Sequence, residues 1–177
     1  HTRLAILSRG LGDVYKRQAE GGDATAFVQA AEIDPNVVAV ETMTTGIAPG
    51  TVETLDISIL RGERADLQFT AVSMLTNTND GFAGLKQINI SSLEVGDSAE
   101  FMLDAFDAGT EANTESSDDV PGLGGTGGDP DSTTVITRHP GVVSKDDGLD
   151  DPITGSDLSQ AHRFDNPVRQ VTITRTR

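Results

Sequence analysis

The chain has 177 residues, which is enough for one domain with a substantial core. Its 28 acidic and 13 basic residues give a formal charge of −15 at pH 7, which disfavours binding to nucleic acid or to an anionic membrane. It contains no Cys, and this excludes disulfides, thiolate metal sites and a cysteine nucleophile. No apolar run approaches the ~20 residues of a membrane-spanning helix, so we expect no membrane insertion.

Residues 1–18 differ from the rest of the chain. The string Ser8–Gln18 resembles the translated sequencing adapter found at the ends of many metagenomic reading frames. The segment holds four of the 13 basic residues and the only Tyr. A basic amphipathic anchor is the alternative interpretation. We interpret residues 1–18 as a non-native artefact and assign a single domain to residues 19–177.

The first half of the domain contains one predicted helix and two predicted strands. Apolar residues at helical spacing predict a short helix over Ala19–Ala31, with Asp23 as its candidate N-cap. The turn-forming residues Asp34-Pro35-Asn36 are expected to end it. Val37–Val40 is predicted to be a short buried strand. Thr51–Leu60 alternates apolar and polar residues, which predicts a half-buried strand.

The second half contains further predicted strands separated by polar turns. Leu67–Leu75 has little polar surface, and we place it centrally in the sheet. Leu85–Ile90 and Glu100–Phe106 are strands by their apolar patterning, as are the brief Thr133–Thr137 and the closing Val168–Thr176. This sequence of elements predicts an all-β fold, an antiparallel β-sandwich with one short N-terminal helix and long acidic loops.

The longest predicted loop, Asp107–Ser132, is composed almost entirely of small polar residues, acids, Gly and Pro. Its glycine-rich part, Val120–Pro130, has too few apolar residues to fold alone, so we expect a mobile loop. The Gly-rich pattern Gly122–Gly127 follows no strand-to-helix context, which argues for a linker and against a nucleotide-binding loop.

Two stretches carry the candidate chemistry, Met74–Gly84 and Asp104–Asn113. Each begins as an apolar run and then breaks into Asn, Asp, Thr and Gly. If both breaks lie at the same end of a sheet, they gather the hard oxygen ligands that Ca²⁺ requires. A simple hairpin turn would explain Asn77–Gly81 equally well, since Asn and Asp before Gly tolerate positive φ. The dense acids of the second stretch favour a metal, because a divalent ion offsets their mutual repulsion.

Other catalytic patterns are weak. His139 and His162 have no candidate partners nearby in sequence; we interpret His139 as a turn histidine with local hydrogen bonds and His162 as a surface residue. Neither a nucleophile elbow nor a phosphate-binding loop occurs. An acidic chain could supply a carboxylate pair for glycoside hydrolysis, but one Tyr and no Trp leave it without the usual aromatic platforms of a sugar cleft.

The chain resembles the spondin N-terminal domain, which occurs in F-spondin, in mindin and in many bacterial secreted proteins. The similarity extends from about residue 19 to residue 175. It is carried by the following segments: Ser73–Leu75, Thr78–Gly84, Asp107–Asn113, Arg138–Gly141 and Asp165–Ile173. The Asp-Ala-Gly-Thr block followed at a distance by Asn-Pro-Val is specific only as a combination.

The resemblance implies a sandwich similar to C2 domains that holds Ca²⁺ at one end. It also implies that Asp80 and Asp107 are metal ligands. From the same two stretches we add Asn79, Glu111 and Asn113 to the candidate ligand set. A further family ligand, an upstream Glu, has no secure match; the open choices are Glu53, Asp56 and Glu63.

The chain departs from the family pattern at three points. Gly81 replaces the usual aromatic residue, and the cysteines of the animal domains are missing. Bacterial members begin with a strand where this chain has the adapter-like string, so we expect the domain to lack its first strand.

The resulting prediction is a secreted calcium-binding module for adhesion, located outside the cell or in the periplasm. Its partner would be a protein or glycan of the matrix or cell surface, and it would not be an enzyme. The alternatives are an extracellular metal- or carboxylate-dependent hydrolase acting on glycans, and a purely structural domain of a surface array.

Overall fold

The computed structural model describes residues 22–43, 46–60, 66–128, 135–145 and 155–177. The predicted artefact at residues 1–18 and the candidate ligand Glu63 lie outside these ranges. The described elements, in chain order, are a helix α1 (Thr25–Glu32) and the strands β1 (Gln68–Met74), β2 (Gly81–Asn89), β3 (Ser98–Asp107), β4 (Thr137–Arg138) and β5 (Arg169–Thr174). Two 3₁₀ turns, Pro121–Leu123 and Gln160–His162, lie in the connections.

All five described strands pair antiparallel within one sheet, in the order β1-β2-β3-β4, with β5 also paired to β3. The predicted all-β class with one short N-terminal helix is therefore confirmed. Within the described ranges the strands form this single sheet, so the face-to-face sandwich stays a prediction. No helix in these ranges is long and apolar enough to cross a bilayer.

β3 is the central strand. Its second half pairs with the start of β2, from Asp104 opposite Gly84 to Asp107 opposite Gly81. Along its other edge the carbonyl of Leu103 accepts a hydrogen bond from Val168 at the start of β5, and that of Ala105 accepts one from His139, just after β4. β5 and β4 thus follow each other along one edge of β3. The start of β2, the end of β3 and the start of β4 meet at one end of the sheet.

The buried side of β3 follows the two-residue period of a strand. Leu103, Ala105 and Asp107 are buried, and Phe106 stacks on Phe82 of β2 with 5.7 Å between ring centroids. The prediction that Leu67–Leu75 is the central strand is wrong. β1 lies at the end of the strand order and all its residues are partly exposed, since apolar content alone does not determine a strand's neighbours.

Two predicted strands are absent from the structure. Val37–Val40 and Thr51–Leu60 are both described, and neither pairs with another described strand. Thr51–Leu60 is almost entirely exposed, including Val52 (88%) and Leu60 (74%). Alternating apolar and polar residues are typical of a strand, but they do not show which other strand it pairs with. The pairing strand lies elsewhere in the sequence, so a local pattern does not reveal it.

The helix begins later than predicted. Ala24, not Asp23, occupies the N-cap position of α1, although Asp23 Oδ1 accepts a hydrogen bond from the N–H of Thr25. The helix ends before Asp34, as expected, and the Asp34 side chain accepts a hydrogen bond from the N–H of Asn36.

The prediction of a mobile glycine-rich loop is wrong for the part that the structure describes, which extends to residue 128. Val120 is fully buried and packs with Val142 and Leu158 in a small second core. The N–H of Gly122 donates to the carbonyl of Thr76 at 2.5 Å. A Cβ on Gly122 would lie 2.1 Å from Asn77 Oδ1, so this glycine permits close packing of two backbones.

Candidate functional site

The two polar breaks lie together. Residues 77–81 form the bend between β1 and β2, and residues 107–115 follow directly after β3; these two segments are the loop end below. Gly81 and Asp107 are paired in register, and the N–H of Ala108 donates to the carbonyl of Asp80 at 3.3 Å. The two breaks therefore lie at the same end of the sheet, as the sequence predicts.

Asp80 links the two segments. Its Oδ2 accepts three hydrogen bonds, from the N–H of Thr110 (2.7 Å), the hydroxyl of Thr110 (2.9 Å) and the N–H of Glu111 (3.0 Å). The residue is completely buried, and its other oxygen, Oδ1, has no hydrogen-bond partner among the described residues. A buried carboxylate oxygen without a partner is unfavourable, so Oδ1 is an atom at this end that needs a ligand; His139 Nε2, also buried, is a second polar atom without a partner among the described residues.

Asn79 forms a second link beside it. Its Oδ1 accepts a hydrogen bond from the N–H of Glu115 at 3.2 Å, and its Nδ2 donates to the hydroxyl of Thr114 at 3.2 Å. Glu115 is buried and its Oε1 accepts from the N–H of Val143 at 2.7 Å. The amide of Asn79 thus fixes the second segment to the bend, and the carboxylate of Glu115 joins the same segment to Val143.

Asp107 holds its own loop. Its Oδ1 accepts from the N–H of Gly109 at 2.7 Å, and its Oδ2 accepts from Nδ2 of Asn113 at 2.7 Å. Gly109 has φ 68°, a left-handed conformation that a residue with a Cβ rarely adopts. Asp107 is 8% exposed, so this predicted ligand is also buried.

His139 lies beside Asp80 and Asp107. The sequence does not predict this contact. His139 is buried, and its Nδ1 accepts a hydrogen bond from the N–H of Gly141 at 3.0 Å, which confirms the predicted local bond. Burial lowers the pKa of His139, and the nearby charges of Asp107 and Asp80 partly oppose that shift. Because Nδ1 is an acceptor, the neutral ring carries its proton on Nε2, so Nε2 is not a metal ligand.

His162 lies outside this cluster. It is partly buried rather than a surface residue, and its Nδ1 accepts from the N–H of Ser159 at 2.9 Å. It thereby caps the short 3₁₀ turn that it belongs to.

The five candidate ligands all belong to the two segments of the loop end, where separate hydrogen bonds hold them. Asp80 bonds the backbone of Glu111, Asn79 bonds the next turn, and Asn113 bonds Asp107. Two of the three upstream candidates lie in the described residues, and the structure does not place them at the loop end. Glu53 and Asp56 are exposed on the unpaired segment 51–60.

A carboxylate-rich metal centre is not seen in the described part of the chain. No three His, Asp or Glu side chains in it form a group that could hold a metal ion. A cation at the loop end would therefore bind fewer carboxylates and complete its shell with amide, hydroxyl and backbone carbonyl oxygens, which Ca²⁺ accepts. Asp80 Oδ1, buried and without a partner, fits the first of these positions.

A cavity of about 300 Å³ lies beside the residues that come directly after His139. It is lined by Pro140, Gly141, Val142, Arg163, Phe164 and Asp165. One carboxylate and one aromatic ring border it, which does not provide the facing pair of acids that glycoside hydrolysis uses.

Comparison of the chain with protein-family models, with curated proteins and with solved structures finds no match. The resemblance to the spondin N-terminal domain therefore stays a prediction.

Proposed function

We propose that this chain is a secreted, non-catalytic binding module of the spondin N-terminal type, whose loop end is stabilised by Ca²⁺. The observation that carries the proposal is Asp80 Oδ1, a buried carboxylate oxygen without a described partner, located where two oxygen-rich bends meet. Bound Ca²⁺ would supply positive charge there. Asp80 would supply a carboxylate oxygen, and Asn79 and Asn113 could add amide oxygens. The other two predicted ligands, Asp107 and Glu111, do not group with Asp80 into a three-acid site among the described residues.

The charge balance of the loop end supports this proposal. Asp80 and Asp107 are both buried at the loop end. Two ion pairs between described residues, Arg138–Asp104 (3.5 Å) and Arg175–Glu94 (3.9 Å), lie elsewhere and involve neither of them. The one histidine beside them has a lowered pKa and so favours its neutral form. Buried carboxylates ordinarily require a paired cation or a metal.

The ligand chemistry also sets the expected affinity. Since no three acidic or histidine side chains among the described residues are grouped for a metal, neutral oxygens would supply most of the shell. Sites with few charged ligands bind Ca²⁺ with dissociation constants of about 10⁻⁴–10⁻³ M, the range of extracellular modules. Such a site would be filled outside a cell and empty inside one, which agrees with the predicted secretion.

The test is calcium titration of chelator-stripped protein, read as the unfolding temperature. With about 10 mM Ca²⁺ and this affinity, the folded state gains roughly 1.5–2.7 kcal/mol, which raises the midpoint by roughly 3–10 °C. We expect Asp80→Asn to abolish this rise in the unfolding midpoint. The matched control is Asp104→Asn, because Asp104 is an acid on β3 whose side chain is exposed and paired with Arg138. The control variant should show the same rise as the wild type. Equal responses of the two variants, or no response of the wild type, would refute the calcium site.

No observation favours the two alternative functions. A glycan hydrolase needs two carboxylates facing across a cleft, and the cavity beside Phe164 has only Asp165. A surface-array domain whose acids only solvate it would keep Asp80 and Asp107 in water, whereas both are buried. The proposed partner is an extracellular protein or glycan.

A further inference from the structure

The segment Thr51–Leu60, called the arm below, has the pattern of a strand without a strand's neighbours. Leu55, Ile57 and Ile59 alternate with Thr54, Asp56 and Ser58. Within the described ranges, the only hydrogen bonds of the arm are those of Thr51, at its first residue, to the carbonyl of Ala48. The remaining backbone groups of the arm are therefore open to pairing with another strand.

The exposure of the arm is unusual for its composition. Ile57 is 38% exposed and Leu55 40%, in addition to Val52 and Leu60. An extended, apolar segment with unpaired backbone groups is a template for strand pairing between chains. Covering it would gain both hydrogen bonds and apolar burial.

We propose that the arm pairs antiparallel with the arm of a second copy of this chain, about a two-fold axis at Ile57. In this register Ile57 faces its own counterpart, Leu55 faces Ile59, and Asp56 faces Ser58. Leu55, Ile57 and Ile59 of both copies then lie on one face of the two-stranded ribbon, and the same surface serves both copies, as a two-fold interface requires. Val52 and Leu60, nearer the ends of the arm, lie on the opposite face.

Other registers are less favourable. An axis at Asp56 places the two Asp56 carboxylates directly opposite each other, which is destabilising. An axis at Ser58 leaves Leu55 beyond the end of the partner's arm. A shift by a single residue puts Ile57 opposite Asp56 and mixes the apolar and polar faces. The axis at Ile57 is the register that pairs every apolar residue between Leu55 and Ile59.

Charge predicts how the pairing responds to salt. The arm contains Glu53 and Asp56 and no basic residue, and each whole chain carries −15. In the proposed register the two Asp56 side chains are diagonal neighbours, about 7–8 Å apart. Salt screens repulsion over about 8–10 Å at 0.1–0.15 M, so the dimer should strengthen as salt is added.

The absence of Cys from the chain allows a direct test by single-cysteine cross-linking. We expect Ile57→Cys to form a disulfide-linked dimer about tenfold faster than Val52→Cys, because residues facing across a strand pair have the Cα spacing of a disulfide. Val52 is more exposed than Ile57, so random collision would give the opposite order. A mixture of Leu55→Cys and Ile59→Cys should cross-link faster than either alone. Equal or reversed rates would overturn the proposal.

Sedimentation of the unmodified chain provides the second test. We expect a monomer–dimer equilibrium at micromolar to millimolar concentration, strengthened by 0.5 M NaCl, unchanged by chelator and abolished by Ile57→Asp. Circular dichroism of Ile57→Asp checks that the variant is folded. A monomer at all concentrations and salt levels, with slow cross-linking of every variant, would show that the arm is not a contact between copies.

Discussion

The loop end and the arm combine polarity and burial in opposite ways. The loop end consists of acids and amides, yet Asn79 and Asp80 are 1% and 0% exposed. The arm is rich in Leu, Ile and Val, yet its residues are almost all exposed. A hydrophobicity profile would place the arm inside the protein and the loop end in solvent.

The difference shows that partners, and not composition, determine burial in this chain. Asp80 and Asn79 are buried because backbone N–H groups of residues 110, 111 and 115 donate to them, which compensates the loss of water. The arm has the apolar content for burial, but the described part of the chain provides no strand beside it. Substitutions at the loop end should therefore lower the stability of the monomer much more than substitutions in the arm.

The largest effect is expected from Asp80→Ala compared with Ile57→Ala. Removing Asp80 leaves two buried backbone donors and one hydroxyl without an acceptor, which we expect to lower the free energy of unfolding by about 3–5 kcal/mol. Ile57→Ala should change it by less than about 0.5 kcal/mol in the dilute monomer, since surface substitutions rarely do more. Urea denaturation of both variants measures the difference, and a larger loss for Ile57→Ala would contradict the comparison.

A somewhat smaller loss is expected where the glycine-rich segment packs against the bend. In Gly122→Ala the new methyl group meets Asn77 Oδ1 and the carbonyl of Thr76, and the backbones must separate. We expect about 1–3 kcal/mol of destabilisation, typical of overpacking. Gly46→Ala is the control, since a Cβ there meets nothing within 4 Å. Thermal unfolding compares them; similar midpoints would mean that residues 120–128 do not pack as the structure shows.

The sequence predicts much of the sheet because local patterning records it. The apolar runs that became β1, β2, β3 and β5 were identified, although β2 begins at Gly81, within the predicted turn. The arm was misassigned since pairing depends on a distant strand. Val120–Gly128 was misassigned since a glycine that permits close packing and one that gives a linker its flexibility are identical in sequence.

The sequence predicts which residues belong to the candidate site, but not which hydrogen bonds and contacts they make. Asn79, Asp80 and Asp107 stand out as oxygen-rich residues at the ends of apolar runs, and the structure brings them together. The burial of His139 has only one indirect signal in the sequence: it lies two residues after a brief predicted strand. Its neighbours Asp80 and Asp107 are more than 30 positions away in the chain, so no local pattern reveals the contact.

The smallest expected effect is the part of the pH dependence of the free energy of unfolding that comes from His139. Burial lowers the pKa of His139 in the folded chain, so below about pH 6.5 the unfolded chain binds a proton that the folded chain does not. The stability that depends on neutral His139 is therefore fully present above pH 6.5 and is lost as pH falls toward the lowered folded pKa. One such proton changes the free energy of unfolding by at most about 1.4 kcal/mol per pH unit.

His139→Asn tests this dependence, because an amide oxygen can accept the hydrogen bond from Gly141 that Nδ1 accepts in the wild type. Urea denaturation in chelator at pH 7.5, 6.5 and 5.5 should give a shallower loss of stability for this variant than for the wild type. If His139→Asn instead keeps the wild-type slope, the folded chain protonates His139 as readily as the unfolded chain does, and the acids beside it gain a positive partner as pH falls. That outcome would remove the charge argument for a cation at the loop end while leaving its hydrogen-bonded structure intact.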